Sequence, residues 1–167
     1  MPTTYEPIAT TTLSSAAASI TFSSIPATYT DLRLVVVLKG DATADGNGIY
    51  VRYNSDSGSN YSITQLQGNG TAAASNRGTN YTGTYPFYNG ISSAQWFLLE
   101  YDLFSYAGST NKTNLSSAAQ DKNGSGFVER QVGLWRNTSA VTSLSMTLAA
   151  GNFVTGTTAT LYGIKNA

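Results

Sequence analysis

Glu100 and Asp102 are the residues best placed to do chemistry in this 167-residue chain, because they stand two apart within Gln95-Trp96-Phe97-Leu98-Leu99-Glu100-Tyr101-Asp102-Leu103-Phe104. Side chains two apart on a strand project from one face, and a close carboxylate pair there could act as the acid and nucleophile of a glycosidase. Trp96 and Leu98 lie on that same face, so the reading preferred for the pair is a strand end emerging into solvent. The other carboxylates are Glu6, Asp31, Asp41, Asp45, Asp56, Asp121 and Glu129, and the chain has no His and no Cys. This composition excludes Ser-His-Asp and Cys-His nucleophiles, thiolate chemistry, disulfides and the usual zinc sites. A non-enzymatic protein without a cofactor is the expectation.

Asp41, Asp45 and Asn47, within the loop Gly40 to Gly48, offer the oxygen ligands that calcium takes. The loop lacks the ligand spacing and terminal Glu of an EF-hand, and Asp, Asn and Gly are also what any β-turn uses. Asn54, Asp56 and Asn60 invite the same two readings. Tyr81, Tyr85, Phe87 and Tyr88 crowd a second segment, where aromatic rings could stack on a sugar or anchor a loop onto the domain or a neighbouring subunit. Trp96 and Trp135 read as core or core edge. Asn-X-Ser/Thr sequons at Asn60, Asn69, Asn80, Asn111, Asn114, Asn123 and Asn137 are what chance produces in so Asn-, Ser- and Thr-rich a chain.

The elements that must position these residues read as strands. Ile20 and Phe22 alternate with hydroxyls, and Asp31 to Leu38 begins by alternation and ends in a β-branched run, as a central strand covered on both faces would. Ile49 to Tyr53 alternates again before the turn signal Asn54 to Asn60. Gly68 to Gly90 alternates weakly and reads as a long surface excursion. Gln95 to Phe104 reads as another central strand, with Phe97, Leu99, Tyr101 and Leu103 on one face. Polar Asn111 to Gly126 precedes Phe127 to Trp135 in a hairpin-like return, and Val141 to Leu148 and Thr158 to Lys165 close the domain. No window of helical length has apolar residues at helical spacing. The class is all-β, an antiparallel two-sheet β-sandwich of eight to ten strands, with a jelly roll as the expected topology. Residues 14–167 form one domain, and residues 1–13 are an extended arm or its first strand.

Nine cations balance nine anions, while 20 Ser, 23 Thr, 16 Gly and 13 Asn make the chain polar without charge. No basic field suits nucleic acid, and no apolar run suits a membrane span or signal peptide. Eleven Tyr, 6 Phe and 2 Trp separate it from disordered chains.

Five phrases taken together carry a resemblance: Tyr5-Glu6-Pro7-Ile8-Ala9, Phe22 to Leu32 through Ser24-Ile25-Pro26-Ala27, Tyr53 to Ser62, Gly133-Leu134-Trp135, and Gly151-Asn152-Phe153 running on to Leu161-Tyr162-Gly163-Ile164-Lys165. They resemble a family of small virion proteins of tailed bacteriophages. The resemblance implies a β-sandwich or jelly-roll subunit of the decoration or tail-associated kind, located on the capsid exterior and made in the host cytoplasm. It implies no catalytic residue. The expected function is a capsid decoration (cement) protein, a homotrimer that binds the major capsid protein, with Tyr5, Ile8 and Leu13 as a docking arm. A tail or fibre module binding host carbohydrate through Tyr81, Tyr85, Phe87 and Tyr88 is the alternative.

Overall fold

The computed structural model describes residues 4–42, 48–91 and 93–165, and every regular element among them is a β-strand. In chain order these are β1 (Tyr5–Thr12), β2 (Ser19–Phe22), β3 (Asp31–Leu38), β4 (Ile49–Tyr53), β5 (Tyr61–Gly68), β6 (Ala73–Tyr81), β7 (Thr84–Phe87), β8 (Phe97–Phe104), β9 (Lys112–Asp121), β10 (Gly126–Trp135), β11 (Leu144–Leu148) and β12 (Thr158–Ile164). They build an antiparallel two-sheet sandwich. One sheet has eight strands in the order β1-β12-β3-β8-β9-β10-β5-β6, the other four in the order β2-β11-β4-β7.

Among the described strands the chain crosses between the sheets at every connection but three, β5-β6, β8-β9 and β9-β10, each of which joins antiparallel neighbours of the larger sheet. The alternating pattern of small cores is clear in β3 and β8. Leu32, Leu34, Val36 and Leu38, with Phe97, Leu99, Tyr101 and Leu103, are all buried in one cluster with Phe22, Val51 and Met146 of the smaller sheet. Burying each such side chain contributes about 1.5–3 kcal/mol, so this interior is the main stabilising term.

The described residues hold twelve strands instead of the expected eight to ten, and three further expectations need correction. β3 is central, but only one of its faces is covered: Val35 is half-buried and Val37 is 43% exposed. The long surface excursion contains β6 and β7. β6 is paired to β5 along its length yet exposed on both faces, apart from partial cover at Gly78 and Tyr81, so its residues have no reason to alternate. The polar segment from Asn111 holds β9, whose inward residues Lys112, Asn114, Ser116 and Gln120 are buried polar groups and therefore carry no hydrophobic period. The β9-β10 hairpin itself forms as read.

Of the two alternatives for the N-terminal segment, the chain takes the strand. β1 pairs with β12 from Tyr5 opposite Ile164 to Thr12 opposite Thr158, and Glu6 and Lys165 meet at 3.0 Å. Ile8 and Leu13 pack against the core, whereas Tyr5 stays half-exposed. Ile8 and Leu13 are thus packed on their own domain, and Tyr5 is the most exposed of the three. Pro7 and a bulge between Pro7 and Ala9 interrupt the register of this edge strand.

Gly163 of β12 marks a close approach between a ring and the backbone. Its register with β3 is continuous, and a Cβ placed on it would lie 2.3–2.4 Å from three ring atoms of Tyr29. The Tyr29 ring thus lies flat on the glycine backbone. Gly163→Ala should expel that ring and destabilise the fold by about 1–3 kcal/mol, seen as a thermal midpoint several degrees lower. An unchanged midpoint would show that the ring is not needed.

Candidate functional site

β3 and β8 put Arg33, Glu100 and Asp102 together on the outer face of the larger sheet. Arg33 donates to Glu100 Oε1 at 2.8 Å, and its Nε lies 3.7 Å from Asp102 Oδ1. Arg130 of β10 joins them around a small polar recess of about 180 Å³, floored by Leu115, Ser116 and Ser117. Burial pushes the Asp102 carboxyl above its usual range, while Arg33 acts in the opposite direction. Both carboxylates thus share one face, as their spacing requires, and face Arg33 from the middle of the sheet instead of emerging at a strand end.

Aliphatic residues surround this charged group. Val37 pairs with Leu98, Leu98 with Ala119, and Ala119 with Val128, which makes an apolar row across four strands. On the other side of the charges, Leu115 pairs with Val132, and Phe104 lies one strand away. Leu98 is 47% exposed and Val128 64%, and Val132, Leu66 and Phe104 are exposed as well. No strand among the described residues covers this face. Isolated surface leucines are ordinary, but a contiguous apolar area framed by charge marks an interaction surface.

The second cluster is aromatic. Tyr50 and Tyr85 rings lie 4.4 Å apart, Tyr81 and Tyr85 4.9 Å, and Tyr85 and Tyr88 6.3 Å. They stand on the side of β4 and β7 that faces away from the core. Phe87 is not among them: it is fully buried and packs on Phe97 at 4.5 Å, so its place in the proposed contact loop is withdrawn. Tyr50 takes its place, a residue that sequence reading missed. Its alternation in Ile49-Tyr50-Val51 showed that it pointed away from the core, but only the pairing of β4 with β7 brings it to Tyr85. Gly78 gives Tyr81 its place, since a Cβ there would meet the Tyr81 hydroxyl at 2.2 Å. Burial pushes the Tyr85 phenol up to about 12, helped by its hydrogen bond with Tyr50.

The turn bearing Tyr88 is pinned by a buried carboxylate. Glu129 of β10 accepts hydrogen bonds from the backbone N–H of Tyr88 at 3.0 Å and of Asn89 at 3.1 Å, and from the Asn89 side chain. Burial raises the Glu129 pKa, against the opposing effect of these bonds. Gln67 and Gln131 extend the polar layer, Gln67 accepting from Asn89 and Gln131 donating to the Tyr85 carbonyl.

The proposed oxygen ligands serve turns. Asp41 accepts from the Asn152 backbone at 2.6 Å and its side chain at 3.0 Å, bonds that lower its pKa. Asp45 and Asn47 lie outside the described residues. Asn54 Oδ1 accepts from Thr142 and Ser143, and Asp56 accepts from Gly58, Asn60 and the buried Trp135 indole at 2.6 Å. Among the described residues, no three His, Cys, Asp or Glu side chains gather as a metal site. Trp135 is buried in the core, whereas Trp96 is half-exposed with its ring beside Gly156. A cleft of about 510 Å³ separates the tips of the two hairpins, but Asn69 and Asp121, its side-chain acceptors, are bonded to N–H groups of their own turns.

Comparison with protein families, curated proteins and solved structures finds no match.

Glu129 supplies a titration test. Its folded pKa lies above the usual 4.5, so the folded state holds the proton more tightly than the unfolded chain, and the ionised group lowers stability as pH rises from there. Glu129→Gln keeps an acceptor and removes the charge. The thermal midpoint of Glu129→Gln relative to the parent should therefore climb as pH is raised through and above 4.5, then level off. A difference that does not vary with pH would mean that the buried carboxylate is not shifted.

Proposed function

We propose that the protein is a non-enzymatic structural subunit of a tailed-phage particle, a capsid decoration protein that binds the assembled coat-protein shell. The observation that carries this reading is the open face of the eight-stranded sheet, with its rows of exposed Val37, Leu98, Val128 and Val132 around Arg33, Glu100, Asp102 and Arg130. Apolar area supplies the driving force for docking, and the paired charges fix orientation. The phrase resemblance supplies the particle.

Strand order supports the jelly-roll form of the reading. With the β5-β6 and β9-β10 hairpins set aside, β1-β12-β3-β8 faces β2-β11-β4-β7, two four-stranded sheets between which the chain alternates except from β4 to its neighbour β7, as in a jelly roll. Cementing is then mass action: a subunit that binds the assembled shell and not its separated parts stabilises the shell. As a homotrimer over a local three-fold junction, it would gain from effective concentration.

The test is sedimentation of recombinant subunit with virions stripped of it. Leu98→Asp and Val128→Asp place charge on exposed positions, so folding should survive, and each should weaken capsid binding at least about tenfold by burying an unpaired charge. Binding unchanged in both variants would sink the docking face. Quantitative mass spectrometry of the virion should find a copy number comparable with the coat protein, and a tail-level count would sink the capsid assignment.

A further inference from the structure

We infer that Tyr50, Tyr81, Tyr85 and Tyr88 form a binding shelf for a neutral saccharide on the outer side of β4 and β7, which Tyr81 reaches from the end of β6. The two surfaces differ in chemistry. One sets rows of Val and Leu around the charged group of Arg33, Glu100, Asp102 and Arg130. The other is phenolic: Tyr88, 55% exposed, offers a flat π-face for the C–H face of a pyranose, and the partly exposed Tyr50, Tyr81 and Tyr85 border it with rings and hydroxyls.

The shelf is rigid. Tyr50, Tyr81 and Tyr85 pack edge-on at 4.4 and 4.9 Å and brace one another, leaving Tyr88 as the half-exposed member at the rim. Tyr88 does not swing on a loose loop, because Glu129 fixes its backbone N–H and that of Asn89. Rings already held in place lose little freedom when a ligand arrives, which favours binding by weakly interacting neutral groups. Gly78 belongs to the same construction, since it is the space into which the Tyr81 ring folds.

Charge selects the class of sugar. Among the described residues no carboxylate belongs to the cluster, and Glu129 has its oxygens bonded to the Tyr88–Asn89 turn. Arg52 is the adjoining cation, and it is engaged as a support: Nε donates to the Thr82 carbonyl at 2.8 Å, and the guanidinium stands 5.4 Å from the Tyr50 ring centre. The shelf therefore presents hydroxyls and rings, suited to hexoses and N-acetylhexosamines over sialylated or sulfated glycans. This inference concerns the isolated chain and does not depend on the capsid reading.

The experiment presents the intact protein to an array of immobilised neutral and acidic glycans, then measures saturation-transfer NMR with the free oligosaccharide retained best. Retention of neutral glycans is expected. Tyr88→Ala, checked by an unchanged thermal midpoint, should weaken binding about tenfold, the loss expected for one stacked ring. Tyr88→Trp, which keeps a ring at the rim, should retain it. Failure to retain any neutral glycan, preference for acidic ones, or equal binding by Tyr88→Ala would each overturn the inference. So would oxidative footprinting of the particle-bound protein that finds Tyr85 and Tyr88 shielded by coat protein, since the shelf would then be a protein contact.

Discussion

Eight strands are stacked against four, and a four-stranded sheet cannot cover an eight-stranded one. At about 4.8 Å per strand the larger sheet is about 38 Å wide and the smaller about 19 Å. The strands that lie opposite β2-β11-β4-β7 can have an apolar inner face, while those beyond its edge must meet something else. β3 and β8 fall in the first group, and β9, β10, β5 and β6 progressively in the second. The inner side of the sheet changes accordingly, from Leu and Val to Asn114, Ser116, Gln120, Glu129, Gln131 and Gln65. β7 and the turn after it reach over this polar stretch, and Glu129 fastens that turn. β6, beyond the reach of either, is exposed on both sides.

Parts of the interior are held by direct polar pairing. Lys112 is fully buried, and its ammonium donates to the carbonyls of Gly108, Thr110 and Thr138, while burial pulls its pKa down. Tyr53, Tyr101 and Thr84 form a hydroxyl chain between the sheets, with Tyr61 bonded to the Tyr53 backbone at 3.2 Å. Desolvation raises all three phenols, so the network stays neutral across the ordinary pH range. Trp135 packs on Tyr53 and Tyr61 and donates to Asp56, tying the end of β10 to the turn before β5. Such networks fix one arrangement of the strands more sharply than apolar packing does, because a shifted register would leave buried polar atoms unpaired.

What the chain shows of this in sequence follows from the same mismatch. Strands opposite the smaller sheet are legible: in Phe97 to Leu103 every second residue is buried, and the turn between Tyr53 and Tyr61 lies where Asn, Asp and Gly cluster. β6 and β9 are not legible, the one because neither face is buried and the other because its buried face is polar. Val35 to Val37 misleads in the other direction, since an apolar run reads as covered on both sides whether the second cover belongs to this chain or to another. The tyrosine cluster is half visible. Tyr81, Tyr85 and Tyr88 lie close in the chain, but Tyr50 comes from a distant strand, and whether Phe87 turns inward depends on its pairing opposite Ile49.

The pairing of Tyr5 with Ile164 has a topological result. The first and last strands are neighbours with opposite directions, and Lys165 donates to the Thr4 carbonyl at 3.0 Å, so the backbone enters and leaves the sandwich at one corner. A short linker could close the chain into a circle there without disturbing a strand, and the circle could be reopened at an exposed hairpin tip such as that between β9 and β10. The order in which the strands occur along the chain is thus separable from the order in which they lie in the sheets.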